Sequence, residues 1–193
     1  MRILMLVLLL CSMQSFALAD VNDFDADTGL YFHTITEQIP RKGSGWGSSF
    51  EDTEGYRSVN VFIYDPVKKA GRNLFSQSPG RITALIIESE YDAKNRQMIF
   101  IDDSNDGQTK NNIGIGSGRK PSDTFLVETL KCTDDEHCQH EIWKAEKRAG
   151  EPQKIITLPE GNNVSWHFDV RNRVIRVLTE SSGSIAIKEI AIH

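Results

Sequence analysis

The densest grouping of reactive side chains is Cys132-Thr133-Asp134-Asp135-Glu136-His137-Cys138-Gln139-His140. Thiolates, imidazoles and carboxylates together are the ligands of a metal site. Zinc favours Cys and His in a tetrahedron, normally as a short Cys-x2–4-Cys knuckle with a second knuckle elsewhere. Here a single Cys-x5-Cys stands alone. Two cysteines in an exported chain read first as one disulfide. The expectation is therefore a Cys132–Cys138 staple at the tip of a polar hairpin, with no metal and no cofactor.

A second cluster, Asp102-Asp103-Ser104-Asn105-Asp106-Gly107, has the outline of a calcium loop. Ser104 stands where Asp or Asn is wanted, and Ile113 falls where the bidentate Glu is required. The match thus fails at its strongest ligand. The same residues open the longest stretch without strand pattern, 103–120, rich in Gly and polar side chains. No Gly-Lys-Ser/Thr follows its glycines, so it is not a phosphate loop. Long polar segments in compact domains carry function more often than chance. Ser104, Asn105, Asp106, Gln108, Thr109, Lys110, Asn111, Asn112 and Ser117 are candidate contacts to another protein. Trp46, set among glycines in residues 41–50, is a candidate binding anchor.

No catalytic residue is assigned. The sequence carries no nucleophile elbow, no His-Glu-x-x-His helix and no Cys/His pair at catalytic spacing. His33 and His167 fall in strand patterns, where a packed or rim histidine is the simpler reading. Asn163-Val164-Ser165 is a glycosylation sequon only in a eukaryotic secretory pathway.

The N-terminus sets the compartment. Arg2, the apolar run from Ile3 to Leu10 and the small-x-small site Ala17-Leu18-Ala19 form a secretory signal peptide, cleaved before Asp20. The apolar run is too short to span a bilayer, and no later one is longer. Leu10 before Cys11 is not the small residue a lipid-attachment site wants, so a soluble periplasmic or secreted product is expected. Residues 20–193 then form one domain, with an acidic lead-in and an ordered core over 28–193. The 193-residue chain has 22 Lys and Arg against 27 Asp and Glu, a net charge of −5. A mildly acidic chain without a basic cluster fits neither nucleic acid nor an anionic membrane; solvation alone explains such a charge, and a basic protein partner is the sharper reading.

Strand periodicity runs through almost all of the rest. Val59, Val61 and Ile63 alternate with Asn60, Phe62 and Tyr64 up to the turn at Asp65-Pro66. The run Ala84-Leu85-Ile86-Ile87 reads as a strand covered on both faces. Further strands are expected over 30–36, 98–101, 125–130, 141–145, 154–158, 164–168, 174–178 and 184–192. Alternation breaks at Lys188-Glu189, which predicts a bulge there. Residues 140–149 admit a helix, but Gly150-Glu151-Pro152 favours a hairpin. Trp143 and Trp166 fall in strand patterns and read as core.

Two hairpin tips echo each other. Tyr91-Asp92-Ala93-Lys94-Asn95-Arg96 matches Phe168-Asp169-Val170-Arg171-Asn172-Arg173, each between apolar strands. The Asp and Asn are explained by turn-making. A second echo sets Val61-Phe62-Ile63-Tyr64 through Gly71 to Leu74-Phe75 beside Ile142-Trp143-Lys144-Ala145 through Gly150 to Ile155-Ile156. This layout resembles the blades of WD40-like β-propellers of the TolB type, over residues 57–192. The resemblance implies an all-β antiparallel meander. With strands for about three blades, fewer than closed propellers use, it implies an incomplete or distorted propeller, with residues 30–36 beside the C-terminal strand. A β-sandwich is the alternative.

In plan the chain is also similar to periplasmic immunity proteins that neutralise cell-wall amidases of type VI secretion. That resemblance implies a non-catalytic inhibitor whose segment 103–120 plugs a partner's active-site cleft, the partner being a basic hydrolase or toxin. A periplasmic scaffold or envelope-assembly factor of the TolB-like kind is the alternative, and a hydrolase with an unrecognised carboxylate site a third reading. Self-association remains open.

Overall fold

The computed structural model describes residues 23–38, 56–101, 119–133, 137–160 and 163–192. Twelve strands follow one another, and there is no helix among the described residues. They are β1 (Asp23–Asp25), β2 (Leu30–Gln38), β3 (Tyr56–Asp65), β4 (Ala70–Asn73), β5 (Arg81–Asp92), β6 (Gln97–Ile101), β7 (Thr124–Cys132), β8 (Cys138–Glu146), β9 (Gln153–Thr157), β10 (Val164–Asp169), β11 (Val174–Ser181) and β12 (Ser184–Ala191). The hairpin reading of 140–149 holds: β8 ends at Glu146 and β9 returns beside it.

One local device makes four of the hairpins. A strand ends on Asp, four residues turn, and the last of them lies in the left-handed region: Asp25 to Gly29 (φ 72°), Asp65 to Lys69 (φ 51°), Asp92 to Arg96 (φ 53°) and Asp169 to Arg173 (φ 52°). The Asp carboxylate accepts backbone N–H groups inside its own turn. Asp92 Oδ1 takes those of Lys94 (2.8 Å) and Asn95 (3.1 Å). Asp65 Oδ1 takes those of Val67 (3.0 Å) and Lys68 (3.1 Å). Asp169 Oδ1 takes that of Asn172 (3.0 Å). Such side-chain mimicry of a turn is why Asp ends each strand. The echo at Asp92 and Asp169 is therefore two of four copies.

The strands form three antiparallel sheets, ordered β1-β2-β3-β4, β6-β5-β7-β8-β9 and β10-β11-β12. The five-stranded sheet is the middle layer. Leu85 and Ile87 of β5 and Phe125 and Val127 of β7 pack with Phe32, Val61 and Ile63 of the first sheet. Their neighbours Ile86 and Leu126 point the other way, into Trp166, Phe168, Ile175 and Val177 of the third sheet. Burial on both faces accounts for the unbroken apolar run in β5. Each such side chain contributes about 1.5–3 kcal/mol relative to exposure.

Two expectations are corrected. Residues 30–36 pair with β1 and β3, not with the C-terminal strand. No bulge interrupts β12 at Lys188-Glu189, where the register to β11 runs unbroken from Ser184 to Ala191. β12 is an edge strand, so Lys188, opposite buried Val177, reaches water without bending the backbone. The bulges lie instead at Ile35/Thr36, Ile82/Ala84, Glu88/Glu90 and Ile142/Trp143.

Candidate interaction site

Segment 102–118 lies outside the described residues, and with it Ser104, Asn105, Asp106, Gln108, Thr109, Lys110, Asn111, Asn112 and Ser117; so do Trp46 and residues 1–22. What is described is the ground on which the polar segment stands. It leaves from Ile101, which is buried and pairs with Ile87 of β5. It returns at Arg119, whose Nη2 donates to both oxygens of Glu88, at 2.8 and 3.0 Å. Both flanks are thus fixed to adjacent residues of one strand.

Glu88 is the hub of that ground. Its side chain is 3% exposed and sits at the β5 bulge. Besides Arg119 it accepts Arg173 Nη1 at 3.2 Å and the backbone N–H of Ser122 at 3.0 Å. The arginines reach further: Arg119 donates to the Val170 carbonyl (2.7 Å), Arg173 to Thr124 Oγ1 (3.0 Å) and the Ile192 carbonyl (3.3 Å). A buried carboxylate is tolerated only when its lone pairs are filled in this way. The bonds tie the end of the polar segment to β5, β7 and the β10–β11 turn.

The same bulge is gripped from the opposite face. Lys147 and Asp25 are both fully buried and meet at 2.8 Å. Lys147 Nζ also donates to the Glu88 carbonyl at 2.7 Å. The Thr28 hydroxyl donates to the same carboxylate oxygen, Asp25 Oδ2. Ser89, beside Glu88, accepts the N–H of Ala26 on its hydroxyl (3.0 Å) and of Asp27 on its carbonyl (3.1 Å).

A third polar group lies deeper along β7. Glu128 Oε1 meets His140 Nδ1 and the indole N–H of Trp166, each at 3.0 Å. Burial pushes the Glu128 carboxyl up, but these two hydrogen bonds and the imidazole charge outweigh it, leaving the group below its ordinary value. The bond to Glu128 raises His140, against partial burial. An imidazole oriented by a carboxylate is part of a general-base arrangement. Here the carboxylate's second bond, to Trp166, makes the group a strut between the middle and third sheets. At the end of β10, burial would raise Asp169, but hydrogen bonds from Arg176 and Asn172 take it down to about 2.

Cys132 and Cys138 are joined as a disulfide across the β7–β8 hairpin, with Cα atoms 4.0 Å apart. Among the described residues no cluster of His, Cys, Asp and Glu is arranged to hold a metal ion. No described helix is long and apolar enough to cross a membrane. Trp166 is core. Trp143 is partly buried, packed edge-on against Phe75 with Lys154 Nζ 5.7 Å over its ring. Asp92 and Asp169 are turn-makers, as expected.

Sequence reasoning missed Glu88, Glu128, Lys147, Arg119 and Arg173. A signal existed for two of them: Glu88 ends the apolar run of β5, and Glu128 interrupts Phe125-Leu126-Val127 and Leu130 in β7. A charge inside a doubly covered strand demands a partner. Compared with known proteins, the chain matches no family model, no curated protein and no solved structure.

Proposed function

We propose that this protein is an exported binding protein that occludes a partner's functional cleft, in the manner of an immunity protein against a cell-wall-degrading enzyme. The observation that carries this reading is the double anchorage of segment 102–118. Its flanks, Ile101 and Arg119, are held at Ile87 and Glu88 of one bulged strand. A polar segment on a fixed base loses little further entropy in its flanks on binding. Ser104, Asn105 and Thr109 would exchange hydrogen bonds with the partner's polar groups, and Trp46 would supply an apolar anchor. The net charge of −5 would steer a basic partner.

Two further readings go with this one. The chain is delivered by a signal peptide cut after Ala19, which the disulfide's oxidising chemistry supports. The three stacked antiparallel sheets are blade-like units of an incomplete propeller, each holding at least one of the Asp-ended hairpins.

The test is capture and inhibition. The protein and a variant lacking residues 105–117 are assayed for binding to purified peptidoglycan amidases and for block of cell-wall digestion. Binding with inhibition, lost in the deletion variant, is expected. Digestion unaffected by the intact protein overturns the inhibitor reading. Capture of envelope-assembly proteins that survives the deletion would favour the scaffold instead.

A further inference from the structure

We infer that β12 pairs with β12 of a second copy, joining two third sheets into one antiparallel sheet. Among the described residues β12 is an open edge: it pairs with β11 on one side only. Seven of its eight residues are exposed, and Ile185 and Ile187 show 65% and 60% of their surface. It contains no Pro and no bulge, so of the devices that protect an edge it carries only the charges of Lys188 and Glu189.

Hairpin geometry says which backbone groups are available. Ser181 and Ser184 face each other across the two-residue turn of Ser182 (φ 50°) and Gly183 (φ 77°). In such a hairpin that pair is hydrogen-bonded, and bonding then alternates along the strand. Ser184, Ala186, Lys188 and Ile190 therefore turn their backbone groups to β11. The bond from Ile192 N–H to the Arg173 carbonyl (2.8 Å) keeps the same alternation. The N–H and carbonyl groups of Ile185, Ile187, Glu189 and Ala191 point out of the open edge.

The charges then choose a register. A two-fold axis normal to the sheet sets residues of the same face opposite one another. Centring it on Lys188 or Glu189 puts like charges face to face, which is unfavourable. Centring it on Ala186 shortens the overlap. Centring it on Ile187 sets Ile187 against Ile187 of the second copy, Ile185 against Glu189, and Lys188 against Ala186, with about six interchain backbone bonds. Leu178 of β11 lies directly beside Ile187. The joined sheet thus carries an uninterrupted apolar row, Leu178 and Ile187 of each copy, across its outer face. Glu189 is already neutralised by Arg176 at 2.6 Å. This inference does not depend on segment 102–118.

Sedimentation of the full chain tests it, with Ile187→Lys, Ile187→Cys and Ile185→Cys variants. Both positions are exposed in the single chain, so folding is unaffected. The unsubstituted protein should sediment as a dimer and Ile187→Lys as a monomer. On mild oxidation Ile187→Cys should form a covalent dimer, because opposed hydrogen-bonded residues lie about 5.5 Å apart at Cα, within disulfide reach. Ile185→Cys, displaced by about 13 Å along the strands from its counterpart, should form none. A monomeric unsubstituted protein overturns the inference, whether amide exchange finds β12 open or covered by the chain's own residues. A dimer that persists in Ile187→Lys overturns it equally, and crosslinking through Ile185→Cys rejects the register.

Discussion

The middle sheet is joined to its two neighbours by different means. Toward the first sheet the polar link is compact: the Asp25–Lys147 pair, both side chains fully buried, with bonds at Ser89 beside it. Toward the third sheet it is spread out. Glu88 is shared by two arginines that are 24% and 25% exposed, and Glu128 by Trp166 and a His140 that is 46% exposed. The first link is surrounded by protein, so removing one partner strands a charge that water cannot reach. The second has water at its rim, so a lost partner is partly replaced by solvent. For Glu88 the position along the strand is shared, since it and the Lys147 pair meet at the β5 bulge. The difference is in exposure, and exposure should set the size of every mutational effect.

The sharpest way to break that comparison is to remove one partner from each link. Lys147→Met leaves the buried Asp25 charge without its cation, and should lose about 4 kcal/mol of unfolding free energy in urea denaturation. The double variant Asp25→Asn/Lys147→Met should recover part of this, because no stranded charge is left. Glu88→Gln keeps the shape of the hub but not its charge, and should lose about 2–3 kcal/mol, more at low salt than at high. If Glu88→Gln proves as damaging as Lys147→Met, the contrast between the two links fails.

The disulfide belongs to neither link and so calibrates both. Cys132 and Cys138 close a loop with a sequence separation of 6. Replacing both by Ser should lose about 2 kcal/mol on a chain-entropy argument, with little change in the response of either link to a further mutation. A strong coupling between the Ser pair and His140→Phe would show that the staple also positions His140, two residues beyond Cys138.

Strands, turns and the staple were legible because each follows from local chemistry. Alternation marks β3, the Asp and Asn echo marks two hairpin tips and Asp65-Pro66 a third turn, and the doubly apolar run marks β5. β4, Ala70-Gly71-Arg72-Asn73, has no apolar residue but Ala70 and is held by the turn that precedes it. The ion-pair partners were illegible because they are distant along the chain. Nothing near Lys147 says that it reaches Asp25, and nothing near Arg119 says that it returns to Glu88. Lys188-Glu189 misled because the alternation rule presumes a covered face, and seven of the eight residues of β12 are exposed. The candidate contact residues were chosen by composition alone, and the structure bears only on the ground that carries them.

The smallest effect separates the two links by pH. His140 is held above its ordinary 6.5 by the bond to Glu128, so its contribution is complete below 6.5 and is lost as pH rises through the folded value. Glu128 is held below its ordinary 4.5, so its contribution is complete above 4.5 and is lost on acidification. Asp169, lowered from 3.8 to about 2, contributes fully above 3.8 and fails only as pH falls toward 2. The Glu128–His140 bond is therefore fully charged between about 4.5 and 6.5. Raising pH from 6 to 8 should weaken this strut. Amide exchange at Trp166, Ile175 and Val177, corrected for the intrinsic pH dependence of exchange, should quicken modestly, while exchange at Val61 and Ile63 in the first sheet stays as it was. His140→Phe should abolish the difference by leaving no proton to lose. Equal quickening on both sides would mean that the imidazole acts on the whole stack and that the two links are not independent.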